Sequence, residues 1–381
     1  MMKILLISTV KTGKDGITNV IFNYLRAIDT NQIEFNYLSI NQPELSYINE
    51  LEKRKCKLYV VPRSGLKIIS YIIQLRHIIA SNKYDVVHIH TNSHTVVLEL
   101  LAAKMGGCKK RIVHSHNTTC NSVSIHRLLT PLFNALYTDA FACGKEAGRW
   151  MFNERPFRVI NNGVDTNLYA FKGEVRSIVR KKLGIQENEI LLGHVGAFNE
   201  AKNQEFLIRI FHVLYNRHPE YKLLLIGDGF LRTRIERQVI DYKLSSNVIF
   251  SGNIDNVYDY LNAIDLIIMP SLFEGLPLTL IEQQANGLHC IVANTITKEA
   301  DKTGNLKFVS LQESYEHWAN VIEDYPKEKD RTTTSQQAIL KIKEKGYSIQ
   351  EEAQKLTNYY HSVKDSAQLA TMNNNDKIGA S

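Results

Sequence analysis

Short apolar runs alternate with longer amphipathic stretches along nearly the whole of this chain. In the first half, runs of strand length fall at residues 3–8, 35–39, 57–61, 86–90, 111–115, 140–142 and 158–160. Stretches with helical spacing lie between them, for example 18–27, 68–79 and 96–105. The second half repeats the scheme, with strands expected at 190–195, 222–226, 248–251, 266–269 and 290–293 and helices at 204–215, 230–242 and 280–286. Apolar strands separated by helices mark a parallel sheet covered on both faces. The pattern therefore predicts two doubly wound α/β domains in tandem, 1–165 and 166–348, joined near the turn-forming Asn161-Asn-Gly-Val-Asp165. A last helix at 349–361, in a segment bounded at 364, precedes a polar, Asn-rich tail, 365–381, that is expected to be disordered.

At 381 residues the chain is long for one domain and comfortable for two. A hydrophobic content of 44% with 22% charged residues suits an ordinary soluble globular protein. No eighteen-residue apolar window occurs, so no transmembrane helix is expected. Met1–Val10 has no small-residue cleavage site and reads as a first strand rather than a signal peptide. The five cysteines, odd in number and without metal-ligand spacing, are expected to be free thiols in a reducing cytoplasm.

The net charge of +7 is unevenly spread. Residues 1–165 hold 21 Lys and Arg against 12 acids, and the remainder holds 25 against 27. Such a basic half suits nucleic acid, anionic lipid headgroups or a phosphorylated acceptor. Its clusters, Lys53-Arg-Lys55 and Lys109-Lys-Arg111, lack interleaved aromatics, which favours a membrane surface or a phosphate group over nucleic acid. Solvated loops are the plain alternative.

The sharpest chemical signal is Ser271-Leu-Phe-Glu-Gly-Leu-Pro-Leu-Thr-Leu-Ile-Glu282, which follows the apolar run Leu266-Ile-Ile-Met-Pro270. It reads as a strand, a Gly/Pro turn and a helix with Pro277 at its first position. The free N–H groups from Leu278 onward, with the helix dipole, make a site for an anion such as a diphosphate. Glu274 sits in the turn, and Glu282 lies about one and a half turns into the helix. One carboxylate can bond hydroxyls on each side of a diphosphate, and a nucleotide sugar has that layout.

Other unusual residues also fall where parallel strands end, which is where ligands bind in open α/β sheets. Lys11-Thr-Gly-Lys-Asp-Gly16 opens a helix but lacks the dinucleotide fingerprint, and could equally be a plain turn. His88, His90 and His94 cluster at one strand end, His114 and His116 at the next. With no acidic partner in sequence, polar packing of His88 and His114 is preferred to a zinc site, and no metal is expected. A neutral His116, followed by Asn117, could polarise a sugar hydroxyl or accept its proton. Lys202 occupies a strand-to-helix loop suited to a diphosphate leaving group. Gly227-Asp-Gly229 follows a strand as a turn that admits close approach of a ligand.

Taken together, Asn162-Gly-Val-Asp165, Lys202-Asn203, Gly227-Asp-Gly-Phe-Leu-Arg232, Met269-Pro-Ser271 and the Glu274–Glu282 block resemble the family 4 retaining glycosyltransferases. Asp85-Val-Val-His-Ile-His90 and Val113-His-Ser-His-Asn117 look closest to the branch that builds capsular polysaccharides and exopolysaccharides. The resemblance implies the GT-B fold, two Rossmann-like domains with parallel sheets facing across a cleft, and a final helix that crosses back to the N-terminal domain. It implies that Glu282 binds the donor ribose and Glu274 the donor sugar, with the backbone of Gly275, Leu276, Leu278 and Thr279 around sugar and diphosphate. Lys202 would neutralise the leaving group, His116 would lie near the reaction centre, and Gly16, Gly227 and Gly229 would border the donor. His90, Asn117 and the 117–127 stretch would lie on the acceptor side.

The expected activity is retaining transfer of a hexose from a nucleoside-diphosphate sugar, with UDP the expected nucleotide, to a lipid-linked oligosaccharide. It needs no metal cofactor, because the chain has no Asp-x-Asp. The expected location is the cytoplasm, with peripheral contact to the inner membrane face through the basic N-terminal domain and no nucleic-acid partner. One departure stands out: the family's usual Arg five residues before the Lys is Ala197 here. Lys14 or Arg232 could substitute. The alternatives are a non-catalytic sugar-binding partner of a transferase and a nucleotide-sugar epimerase of the same fold.

Overall fold

The computed structural model describes all residues except 14–15, 64, 121, 326–329 and 379–381, with the backbone alone at residue 66 and at 365–378. Internal contacts divide the chain into two units, Met1–Gly163 with Ile349–Ser381, and Val164–Ser348. The first unit carries seven described strands: β1 Met2–Ser8, β2 Ile33–Ser39, β3 Lys57–Val60, β4 Val86–Thr91, β5 Lys110–Ser115, β6 Asp139–Ala142 and β7 Arg158–Val159. They form one parallel sheet in the order β3-β2-β1-β4-β5-β6-β7. The second unit carries β8 Ile190–Val195, β9 Tyr221–Ile226, β10 Val248–Gly252, β11 Leu266–Met269, β12 Cys290–Ala293 and β13 Leu306–Val309. Their order is β10-β9-β8-β11-β12-β13, again all parallel.

Each sheet reverses its strand order once, between β1 and β4 in one unit and between β8 and β11 in the other. At such a switch point neighbouring loops leave in opposite directions and open a crevice at the strands' carboxyl ends. The strand bounds lie within two residues of those the apolar pattern predicts. The pattern missed β13, a four-residue edge strand in which exposed Lys307 interrupts the apolar run.

In the first unit the period of two along β4 and β5 sorts two different faces. Val87, Ile89 and Val113 pack with Tyr71, Leu75, Ile79, Leu100 and Phe133 in one apolar cluster. His88, His90 and His114 point the other way and stack on one another. On that second face lies the terminal helix, Ile349–Ile378, which packs against the helix Gly16–Ala27. The helix runs to Ile378, past the expected bound at 364. Residues 365–378 contain neither Gly nor Pro, so nothing in the local backbone stops it before Gly379.

Two buried polar contacts fasten this helix to its unit. The Tyr360 hydroxyl lies 2.6 Å from His88 Nδ1, and Glu352, fully buried, accepts the Asn161 N–H at 2.8 Å. Removing one partner of a buried hydrogen bond leaves the other unsatisfied. Tyr360→Phe is therefore expected to lower the unfolding free energy by about 1–3 kcal/mol. The urea midpoint should fall with an unchanged slope, and an unchanged midpoint would show that this bond does not hold the helix.

Candidate functional site

The crevice of the second unit is framed by loop 196–203, which leaves β8, and loop 270–277, which leaves β11. Backbone and side-chain bonds stitch them together. Leu272 N–H donates to the Ala201 carbonyl at 2.8 Å, and Asn203 Nδ2 donates to the Pro270 carbonyl at 3.0 Å. Asn199 accepts the Lys202 N–H at 3.1 Å, which caps the tight turn Glu200–Lys202. The Lys202 stem then runs over Gly196, where an added Cβ would sit 2.9 Å from Lys202 Cε. The result is an ion pair: Lys202 Nζ lies 2.5 Å from Glu274 Oε1, with side chains only 17% and 13% exposed.

Past Glu274 the chain enters the helix Leu278–Ala285. Pro277 holds the cap position, with φ −73° and ψ 106°, and not the first helical position that its sequence context predicts. Its extended ψ lets the loop turn into the helix, and Leu278 becomes the first helical residue. No side chain caps this end. Thr279 Oγ1 and Ser271 Oγ are shut off from solvent and have no protein partner. An added Cβ on Gly275 would meet nothing within 4 Å, so the loop is open on that side. Leu276 and Leu278 pack their side chains on Val164, Ile281, Ala285, Ile342 and Tyr347, and offer their backbone to the helix end. Together these features form an uncapped helix N-terminus with two unspent hydroxyls and a paired cation beside it, a setting suited to an anion.

Glu282 lies farther along the helix. Burial pushes its carboxyl up from the ordinary 4.5 to about 7, and a hydrogen bond from Tyr169 opposes the rise. Sequence reasoning missed Tyr169. The signal for it was close by, because Asn162-Gly-Val-Asp165 turns the chain so that Tyr169 N–H bonds the Asp165 carbonyl. Asn286 Nδ2 then holds the Tyr169 carbonyl at 2.8 Å, which ties the turn to the end of the Glu282 helix.

Gly227 and Gly229 each admit a close approach of neighbouring backbone. Gly227 has φ +137°, and its added Cβ would lie 2.1 Å from the Gly196 carbonyl oxygen. At Gly229 the Cβ would lie 2.4 Å from the Phe198 carbonyl oxygen. The close approach they allow is to the loop that carries Lys202. Of the two cations that could substitute at position 197, Lys14 lies outside the described residues. Arg232 is held by Asp228 at 3.2 Å and Glu236 at 2.8 Å, with its guanidinium over Phe250.

In the first unit, Gly16 opens its helix with nothing within 4 Å of an added Cβ. His90, at the carboxyl end of β4, places Nδ1 2.8 Å from His116 Nε2. His88, His90, His114 and His116 form a ladder of stacked or tilted rings. Burial, and for the first three the neighbouring imidazoles, hold the rings well below the ordinary histidine range, with His116 at about 3. They are therefore neutral at physiological pH. His88, His90 and His114 each bring a ring nitrogen within 4.8 Å of the others, a spacing that could hold a metal ion. Asn117 is exposed, and its side chain accepts the Thr118 N–H at 2.8 Å.

Two parallel α/β units, one with an anion-ready helix end at its switch point, define a class of two-domain Rossmann-like folds. The comparisons agree. The family described as Glycosyl transferases group 1 matches residues 175–341, and Glycosyltransferase Family 4 matches residues 14–168. A Bacillus subtilis protein named "Putative glycosyltransferase EpsF" is 31% identical over 328 residues, which is 81% of this chain and 84% of EpsF. The UDP-Gal:alpha-D-GlcNAc-diphosphoundecaprenol alpha-1,3-galactosyltransferase of Escherichia coli is 26% identical over 73% of this chain and 76% of its own. Among solved structures, Anabaena Alr3699/HepE in complex with UDP superposes with a TM-score of 0.76 at 18% identity, covering 95% of this chain and 100% of that one. The chain belongs to the group 1, or family 4, glycosyltransferases, and its fold is GT-B.

The raised Glu282 pKa has a consequence for stability. The folded protein holds this proton more tightly than the unfolded chain does, so the stabilisation is fully present below about pH 4.5 and is lost as pH rises through about 7. Glu282→Gln should remove that slope. Between pH 5 and 8 the parent protein should lose about 1–3 kcal/mol more stability than the variant in denaturant titrations. Parallel curves would show that Glu282 titrates normally.

Proposed function

We propose that this protein transfers a hexose from a UDP-linked donor to a hydroxyl of a lipid-linked oligosaccharide, with retention at the anomeric carbon, in capsular polysaccharide or exopolysaccharide synthesis. The observation that carries the reading is the Lys202–Glu274 pair beside the uncapped end of the helix Leu278–Ala285. The helix end and Lys202 take the diphosphate, and the backbone at 275–279 follows it. Glu274 accepts from donor-sugar hydroxyls, and Glu282, tuned by Tyr169, bonds the ribose hydroxyls. His116, neutral at working pH, is assigned to a sugar hydroxyl. Gly16 and the His90 and Asn117 positions are assigned to the donor and acceptor sides of the first unit.

In the reaction the anomeric C–O bond to the diphosphate breaks as the acceptor oxygen attacks the same face. The acceptor proton passes to the departing phosphate oxygen, so no protein nucleophile is needed. Lys202 and the helix dipole stabilise the charge that develops on the leaving group. That role is filled by a cation and backbone dipoles, and the reading assigns no metal to the diphosphate. The E. coli relative, by its name, uses UDP-Gal and a diphosphoundecaprenol-linked acceptor, which supports both the donor nucleotide and the lipid-linked acceptor. Ala197 supports a second reading, a sugar-binding partner without turnover, because Arg232 is already held by two carboxylates.

The test is UDP release from a panel of UDP-sugars in the presence of EDTA, with and without a lipid-linked acceptor. Slow release alone and faster release with acceptor are expected. Lys202→Met should lower kcat by about 10²–10³-fold. Binding of UDP-sugar with no release by the parent protein would favour the partner reading. Loss of activity with EDTA, restored by manganese, would overturn metal independence. Consumption of donor without UDP release would mark an epimerase.

A further inference from the structure

The second unit holds a buried guanidinium whose contacts lead back to Glu282. Arg331 is the first residue of the helix Arg331–Glu344 and is only 9% exposed. A cation there stands at the wrong end of its own helix dipole, and burial adds to the cost. What it reaches explains its place. Nε donates to the Asn286 carbonyl at 3.1 Å, and Nη2 donates to the Leu261 carbonyl at 2.7 Å. Nη1 donates to the carbonyls of Asn262, at 3.4 Å, and of Ile264, and a second bond from Nη2 goes to Asn286 Oδ1. These contacts match the N–H groups of the planar guanidinium fork one for one. Four of the acceptors are backbone carbonyls at or just past the carboxyl ends of two helices, Val257–Ala263 and Leu278–Ala285, where a cation is favoured. The flat face of the guanidinium lies over Phe171, 4.8 Å from its ring centroid.

The remaining acceptor, Asn286 Oδ1, transmits this geometry. Asn286 is fully buried, and its amide can meet a guanidinium only with the oxygen. Nδ2 is thereby directed to the opposite side, where it donates to the Tyr169 carbonyl at 2.8 Å and to Asn262 Oδ1 at 3.3 Å. Asn262, also buried, is held in turn. Its Nδ2 donates to the Tyr258 carbonyl at 2.8 Å, and its Oδ1 accepts the Lys172 N–H at 2.7 Å. Neither amide can flip without bringing donor to donor. Ser335, about one turn along from Arg331, accepts the Phe171 N–H at 3.0 Å and donates to the Ala285 carbonyl at 2.7 Å. The Tyr169 N–H bonds the Asp165 carbonyl at 3.1 Å, so both backbone groups of Tyr169 are fixed. The side chain so placed is the one that bonds Glu282.

We infer that Arg331 is a positioning residue for donor binding, acting on Glu282 through Asn286 and Tyr169. The relay has a direction: guanidinium to amide oxygen, amide N–H to the Tyr169 carbonyl, Tyr169 side chain to the Glu282 carboxyl. It holds a hydrogen-bond donor against Glu282, which favours the ionised carboxylate that ribose hydroxyls need as an acceptor. Burial and this bond are the two influences on the Glu282 proton among the described residues. Lysine would not substitute at 331, because an ammonium has fewer N–H groups and no planar fork. The inference deepens the proposed reading, and it rests on that reading for Glu282 as the ribose-binding group.

The experiment is calorimetric titration of UDP into the full chain, from about pH 5 to 9, for the parent, Arg331→Lys, Asn286→Ser and Tyr169→Phe. Binding by the parent should weaken on the acid side as Glu282 takes up its proton near pH 7. In each variant the midpoint of that limb should move up by about one pH unit, so that affinity at about pH 6 falls about tenfold against the parent. The phosphate proton of UDP itself is common to all four proteins and cancels in that ratio. Arg331→Lys keeps the charge, so its shift reads the lost fork and not a lost Coulomb attraction. Combined with Tyr169→Phe it should shift the limb no further than either change alone, because both break one relay. Asn286→Ser leaves the four backbone contacts of Arg331 in place and decides the question should Arg331→Lys fail to fold. A merely structural clamp predicts a lower unfolding midpoint with the parent's pH profile for UDP. That result in Arg331→Lys, or in Asn286→Ser, would overturn the inference. A parent that binds no UDP would refute the donor reading instead. The relay is then read without ligand, from the pH dependence of unfolding relative to Glu282→Gln, whose midpoint Arg331→Lys should also move upward. An unmoved midpoint there would overturn the inference, so the two fail separately.

Discussion

The Lys202–Glu274 pair exists because two parallel strands, β8 and β11, lie next to each other although separated by about half a domain of sequence. Their loops leave the sheet at the same end, and the bonds from Leu272 to Ala201 and from Asn203 to Pro270 hold the loops in register. Glycines make this possible. Gly196 leaves room for the Lys202 stem, and Gly227 and Gly229 let the next βα turn press on the 196–198 backbone. A side chain at Gly227 or Gly229 would run into the 196–198 backbone, and one at Gly196 would displace the Lys202 side chain. The charge geometry is therefore a consequence of backbone packing, fixed before any ligand arrives.

That prior arrangement bears on the missing cation at Ala197. A mostly buried ammonium is costly unless paired, and the Glu274 carboxylate supplies the pairing while the site is free. In the proposed reaction a diphosphate takes over that role, and Glu274 is released to accept from sugar hydroxyls. One preorganised lysine and an uncapped helix end then share the work that an additional arginine would do. The division places more of the burden on backbone dipoles, which need no reorganisation during the reaction.

Much of this was legible in the sequence because the informative features are local. Apolar runs bounded by Gly, Asp and Pro set the strands to within two residues, and the Glu274–Glu282 spacing lies on one turn and one helix. The missed features are set by distant packing. Tyr169 reaches Glu282 through a turn whose residues are visible but whose direction is not. At Gly227 and Gly229 the sequence shows that a glycine is needed, and only the fold shows that the 196–198 backbone presses on them. β13 escaped because a four-residue edge strand with an exposed Lys307 carries too little periodicity. Pro277 shifted by one position because a proline suits both the cap and the first turn.

The first unit shows how one sheet can serve two chemistries through its period of two. Even-numbered positions on β4 send His88 and His90 toward the terminal helix, where burial keeps their rings neutral and Tyr360 bonds one of them. Odd-numbered positions send Val87 and Ile89 into an apolar core that anchors the opposite helical layer. A polar stack on one side and an apolar core on the other follow from the same alternation of residues along two neighbouring strands.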